Sequence, residues 1–231
     1  MFKFLRRRRI KREAKLEDIY AAASFVQPIL NRMENLLPFN QYSVRPFVLA
    51  ILANEVLLNK RRSYIEFGAG ISTILLAKFA SISRLDLKIT AVDHDAAWIA
   101  YLKEVLDQEA LQSKVKLIHS PLRSKESVFP DTIWYDTISL LSQIREDNFD
   151  LVFVDGPPGR GKHHRYTALP FLLDNNLLSI HHSIYLDDAG RNSEKEIMRK
   201  WETLTGKKFE TILGHLGASV PSDSMKVRLS N

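Results

Sequence analysis

The sequence predicts an α/β fold built on an open, mostly parallel sheet. Three observations predict it. From Ser63 onward, short apolar runs alternate with helix-length stretches. Runs such as Leu151-Val152-Phe153-Val154 are continuously apolar, as strands buried on both faces of a parallel sheet are. The residues that close these runs are acidic, polar or turn-forming, at the place where such sheets bind ligands.

The elements follow in chain order. Residues 1–15, "MFKFLRRRRIKREAK", form a basic tail, either mobile or the first turns of a basic helix. They hold eight Lys or Arg and one Glu, a net of +7, within a chain total of +6. The remainder is therefore close to neutral. A nucleic-acid-binding domain carries its positive charge on a folded face, so nucleic acid is not the expected partner. Each Lys or Arg beside an anionic bilayer contributes about 1 kcal/mol, and Phe2, Phe4 and Leu5 can insert. A solubilising tail is the first reading, and peripheral contact with anionic membrane is the second.

Residues 16–62 read as an N-terminal helical extension. A first helix is expected up to Pro28, with a break there. A second starts with Ser43 as cap and Pro46 in its first turn, and Lys60-Arg61-Arg62 closes it. Residues 63–231 form the α/β domain. Strands are expected at about 63–67, 87–92, 115–118, 150–154 and 183–187. Helices are expected at about 71–80, 95–109, 165–177 and 193–205. Two strand-like runs, "KFETILGH" and "SMKVRLS", end the chain as an antiparallel pair at the sheet edge. No cysteine is present, so disulfides and thiolate metal sites are excluded. No apolar run reaches the length of a membrane span. Leu16-Glu17-Asp18 and Gln27-Pro28 interrupt any secretion signal, and a cytoplasmic location is expected.

The first strand ends in "YIEFGAGIST", Tyr64 to Thr73. A dinucleotide loop wants G-x-G-x-x-G, and Thr73 stands at the third glycine position. Gly68 and Gly70 still admit close approach of a ligand to the backbone. Glu66 puts a carboxylate where a pyrophosphate would be repelled and a cationic ligand welcomed. S-adenosylmethionine has an ammonium, a sulfonium and no phosphate. Asp93 closes the second strand, where a carboxylate can accept both ribose hydroxyls of an adenosine. Asp95 is expected to cap the next helix. His119 and Ser120 fall near the adenine position.

With these motifs, "AVDHDAAW", "HSPL", "WYD", "FDLVFVDGPPG", "RYTALP" and "IYLDDAGRNSE", the chain resembles class I S-adenosylmethionine-dependent methyltransferases over about residues 40–205. The VDGPPG and LDD motifs resemble a bacterial-type subgroup. The resemblance implies a Rossmann-like doubly wound sheet of seven strands, ordered 3-2-1-4-5-7-6 with the last strand antiparallel. It implies cofactor roles for Glu66, Gly68, Gly70, Ser72 and Asp93, with Leu122 beside the adenine. The function implied is O-methylation of a small-molecule or glycan hydroxyl.

On the acceptor side, Asp155 ends the fourth strand and Asp187-Asp188 the fifth. Neighbouring strands bring these carboxylates together, and three such acids repel unless a cation or protons intervene. Oxygen ligands suit Mg²⁺ or a similar divalent cation. The set resembles the metal site of catechol-type O-methyltransferases, with Asp188 in place of an Asn and Pro158 where that family has its catalytic lysine. A plainer reading pairs Asp187 or Asp188 with Arg191. His163 or His164 is the candidate base that takes the acceptor's proton, and Asp155 is the catalytic candidate that faces the acceptor. Trp134 and Tyr135 stand as either an apolar wall or core packing. Three other functions suit the pattern: an aminopropyltransferase, a nicotinamide-dependent oxidoreductase, and a non-catalytic binding module.

Overall fold

The computed structural model describes residues 2–40, 42–159 and 162–225. Helix α1 spans Phe2–Leu30 and α2 spans Pro46–Leu58. In α1, Ala22, Val26 and Ile29 are buried, a spacing that puts them on one helical face. The helix does not break at Pro28. The proline falls in its last turn, and the helix ends two residues later. A proline there disturbs few intrahelical bonds. Helix α2 begins with Pro46 just after Arg45, and it is buried nearly all round because α1 covers its outer side.

The remaining elements are β1 (Ser63–Phe67), α3 (Ile71–Ile82), β2 (Lys88–Asp93), α4 (Ala96–Gln108), β3 (Val115–His119), β4 (Leu122–Ser124), β5 (Ile133–Tyr135), α5 (Thr137–Ile144), β6 (Phe149–Val154), α6 (Ala168–Asp174), β7 (Leu178–Leu186), α7 (Asn192–Thr205), β8 (Glu210–Ile212) and β9 (Leu216–Ser219). Seven strands form one sheet in the order β3-β2-β1-β6-β7-β9-β8. Counted within that sheet alone, this is the expected 3-2-1-4-5-7-6. Strand β9 runs antiparallel to both neighbours. The small β4–β5 ladder stands apart from the sheet.

Two expectations need correcting. The antiparallel partner of β8, expected at "SMKVRLS", is Leu216–Ser219, formed where Gly214 (φ 74°) turns the chain back. Residues 226–230 of that run lie outside the described residues. The helix expected at 165–177 is a 3₁₀ turn at His164–Thr167 followed by the short α6.

Strand residues alternate between two cores. Tyr64, Ile89, Ala91, Leu151, Phe153 and Tyr185 face one way, and α1 to α4 cover them. Ile65, Phe67, Val92, Val152, Val154, Ile184 and Leu186 face the other, under α5, α6 and α7. The helical extension thus supplies part of a whole layer. A buried network locks it on. Glu55 of α2 pairs with Arg61 at 2.7 Å, Arg61 donates to Ser183 Oγ, and Tyr185 Oη donates to Glu55 at 3.1 Å. Removing one partner of such a pair costs about 3–5 kcal/mol. No helix among the described residues is long and apolar enough to cross a membrane.

Candidate functional site

The strand order reverses between β1 and β6, and the carboxyl ends of the strands at such a reversal are where open α/β sheets bind ligands. The glycine loop forms one wall. Gly68 has φ 96°, and a Cβ on it would meet the backbone nitrogen of Gly156 at 2.7 Å. Only glycine suits both the dihedral and the space. The Gly68 and Ala69 amides donate to Val92 O of the neighbouring strand. Trp98 Nε1 donates to Ala69 O at 2.8 Å, tying α4 to the loop.

Glu66 lies beneath this loop, fully buried. Ser72 Oγ donates to its Oε1 and Thr73 Oγ1 donates to its Oε2 at 2.6 Å. Thr73 Oγ1 also accepts from the Gly70 amide at 3.1 Å, closing the start of α3. Thr73 therefore fills the third glycine position because its hydroxyl serves both the acid and the helix start. Burial pushes the Glu66 carboxyl up to about 8, against the pull of the two hydroxyls. Expected cofactor residues Glu66, Gly68, Gly70 and Ser72 are thus brought together, with Glu66 behind the loop rather than open to solvent.

Asp93 sits at the end of β2, mostly buried. Its Oδ1 accepts from the Asp95 amide at 2.9 Å and lies 3.1 Å from His94 Nδ1. Burial raises its carboxyl above the usual range. Asp95 caps α4 as expected, accepting from the amides of Ala97 and Trp98. Ser120 N donates to Asp93 O, and Leu122, half-buried, starts β4 just beyond. His119 is exposed, with Nε2 3.1 Å from His94 O. Trp134 and Tyr135 are both buried and packed against Phe67, with ring centroids 5.1 and 6.0 Å away. They belong to the core. The Tyr135 hydroxyl nevertheless has no hydrogen-bond partner, and a Cβ on Gly156 would meet it at 2.5 Å.

The ends of β6 and β7 hold the other acids. Asp155 follows β6, and Asp187 follows the adjacent β7, its amide donating to Val154 O at 3.0 Å. Asp188 has φ 57°, a left-handed conformation that Asp and Asn tolerate better than most residues. Oxygens of Asp155, Asp187 and Asp188 all lie within 4.8 Å of one another. Burial, then the charges of Asp155 and Asp188, push Asp187 up to about 7. Three arginines surround the group. Arg165, buried, reaches Asp155 Oδ1 at 3.0 Å, Asp188 Oδ2 at 3.5 Å and Asp187 O at 3.2 Å. Arg191 reaches Asp188 Oδ2 at 2.8 Å, the pairing foreseen in the plainer reading. Arg45, at the start of α2, lies 3.7 Å from Asp188 and 4.0 Å from Asp187.

The donor chemistry of the three acids fits a hard divalent cation, but their surroundings do not. An ion among these oxygens would lie within roughly 5 Å of the Arg165 guanidinium, where repulsion is about 7 kcal/mol at an effective dielectric of 20. Asp155 and Asp188 already have partners of opposite charge; Asp187 Oδ1 has no hydrogen-bond partner and its nearest positive charge is Arg45 at 4.0 Å.

The histidines lie outside this network. His163 Nε2 is 2.7 Å from Glu196, and its ring stacks on Phe129 at 3.9 Å. His164 is buried, and burial, partly offset by the main chain of Pro158 and Asp131, holds its pKa below the usual histidine value. Among the described residues no hydrogen bond or ion pair joins either to Asp155, Asp187 or Asp188. A cavity of about 370 Å³ between α5 and α6 includes Tyr166 but none of the strand-end acids.

Sequence reasoning missed Arg45 and the role of Thr73. Thr73 carried a signal, since a hydroxyl three residues after a loop glycine is a helix-start pattern. Arg45 carried none, because its place depends on how the extension packs.

No protein-family model matches the chain, and no curated protein matches it. Solved structures do. An O-methyltransferase from Bacillus cereus in complex with SAH is similar, with TM-score 0.57 and 17% identity, over 90% of this chain and 91% of that one. The SAH-bound methyltransferase PaMTH1 from Podospora anserina gives TM-score 0.56 at 16% identity, over 91% and 88%. The O-methyltransferase TomG from Streptomyces achromogenes, in complex with SAM and involved in tomaymycin synthesis, gives 0.55 at 14%, over 80% and 91%. Identities this low speak to fold and not to substrate. The chain has the Rossmann-like α/β fold of these O-methyltransferases.

Proposed function

We propose that the protein is an S-adenosylmethionine-dependent methyltransferase acting on a hydroxyl oxygen of a small molecule. The observation that carries this is the cradle at the reversal point. A phosphate-free wall, made of the Gly68–Gly70 loop over hydroxyl-bound Glu66, stands beside Asp93 at the end of the next strand. Neighbours of the same fold that hold SAH or SAM support the reading.

In this reading Gly68, Gly70 and Ser72 shape the loop against the methionine end, and Glu66 supplies a buried acid beneath the ammonium. Asp93 accepts the ribose hydroxyls through charge-assisted bonds worth about 1.5–3 kcal/mol each. Leu122 packs beside the adenine. The acceptor hydroxyl docks at Asp155, which Arg165 holds in place. The bound cofactor would supply the methyl group and keep the carbon–sulfur electron pair on its sulfur, while Asp155 would take the proton that the acceptor hydroxyl loses. Asp155 is preferred to His163 and His164 as proton acceptor because it lies at the strand end, whereas His163 is engaged by Glu196. A glycan hydroxyl is the second acceptor class to try. Residues 1–15 supply contact with anionic membrane at the cytoplasmic face.

Calorimetry with SAH tests the cofactor assignment, and transfer of a labelled methyl group into a cell extract tests the reaction. Saturable SAH binding that Asp93→Ala weakens is expected. Absence of SAH binding at millimolar concentration, or binding of NADH in its place, would refute the proposal.

A further inference from the structure

We infer that Arg165 is a built-in replacement for the divalent cation of catechol-type sites, so that this chain keeps the acid cluster without binding metal. The geometry is that of a cation held by the cluster. Arg165 contacts two of the three carboxylates through separate nitrogens, at 3.0 and 3.5 Å, and the main chain of the third at 3.2 Å. It does so with 6% of its side chain exposed. A buried guanidinium cannot lose its charge and presents donors in a fixed fork. Arg191 and Arg45 supply the other two positive charges, from half-exposed positions at the rim. The next acid facing Arg165, Glu194, is buried and bound by the Ser193 hydroxyl.

Asp155 has its cation from Arg165, ten residues along the chain and at the start of a different element. The guanidinium orients Asp155 and holds the two strand ends together, which a bound ion would otherwise do. This inference stands on charge and geometry and does not depend on the methyl-transfer reading.

Electron paramagnetic resonance of added Mn²⁺ tests it directly. The wild-type protein should leave millimolar Mn²⁺ free. Arg165→Gln, which removes the charge and keeps hydrogen-bonding atoms, should bind about one Mn²⁺, and adding Asp188→Asn should abolish that binding. Binding to wild type that Asp187→Asn removes would overturn the inference. So would a folded Arg165→Gln protein that binds none. Should Arg165→Gln fail to fold, the wild-type titration decides alone. Free Mn²⁺ upholds the inference, and cluster-bound Mn²⁺ overturns it. SAH affinity unchanged by EDTA is a companion expectation that reads cofactor binding and not turnover.

Discussion

The two walls of the site bury carboxylates by opposite means. On the glycine-loop side, Glu66 is met by two neutral hydroxyls, from Ser72 and Thr73. At the ends of β6 and β7, Asp155, Asp187 and Asp188 are met by three guanidiniums. Hydroxyls satisfy the oxygens without supplying a positive charge, so a cation bound beside that wall would meet a buried acid that can ionise to pair with it. Guanidiniums cancel the charge, so the second wall offers shape and fixed dipoles to a neutral group. The partners of a buried acid therefore report which ligand charge remains to be supplied.

Four experiments would break or sharpen this comparison. The largest effect is expected for Arg165→Met, which leaves Asp155 without its buried partner. Destabilisation of about 3–5 kcal/mol in urea unfolding is expected; a loss under 1 kcal/mol would mean the arginines are incidental. Next is pH. Glu66 has its carboxyl raised from 4.5 to about 8 in the folded state. A raised acid binds more protons when folded, so its contribution is fully present below about pH 4.5 and is lost as pH rises through about 8. Unfolding free energy should therefore fall from pH 5.5 to 8.5 by up to a few kcal/mol. Glu66→Gln should flatten that fall, and an unchanged slope would show that hydroxyls had left Glu66 ionised.

Smaller effects follow. Asp93→Ala should weaken SAH binding by about 10- to 100-fold, the loss of one or two charge-assisted bonds. Equal affinity by calorimetry would move the ribose elsewhere. Thr73→Val removes one hydroxyl from Glu66 and from the Gly70 amide, at a cost of about 1–2 kcal/mol. A gain in stability would mean that the loop never needed that donor.

The sheet was legible because buried parallel strands leave continuous apolar runs, and because acids and glycines cluster at their ends. Asp155, Asp187 and Asp188 could be grouped from strand adjacency alone. What could not be read was whatever depends on long-range packing. Arg45 precedes a helix in the extension and gives no local sign that it reaches Asp188. His163 and His164 looked like bases because they follow Asp155 in the chain, but the 3₁₀ turn carries His163 to Glu196 and buries His164. The partner of β8 was misplaced because "LGAS" is short and three of its four residues are small, a weaker strand pattern than the "SMKVRLS" that follows.

The contact between Gly68 and Gly156 has a consequence for how such chains diverge. The loops after β1 and β6 touch backbone to backbone there, with no side chain between them. A methyl group added at either position would have to push the opposite loop away. The two sites ought therefore to drift together through an evolutionary lineage: a chain that fills one must widen at the other. Cofactor preference and acceptor preference, which come from different loops, would then be inherited as a single trait.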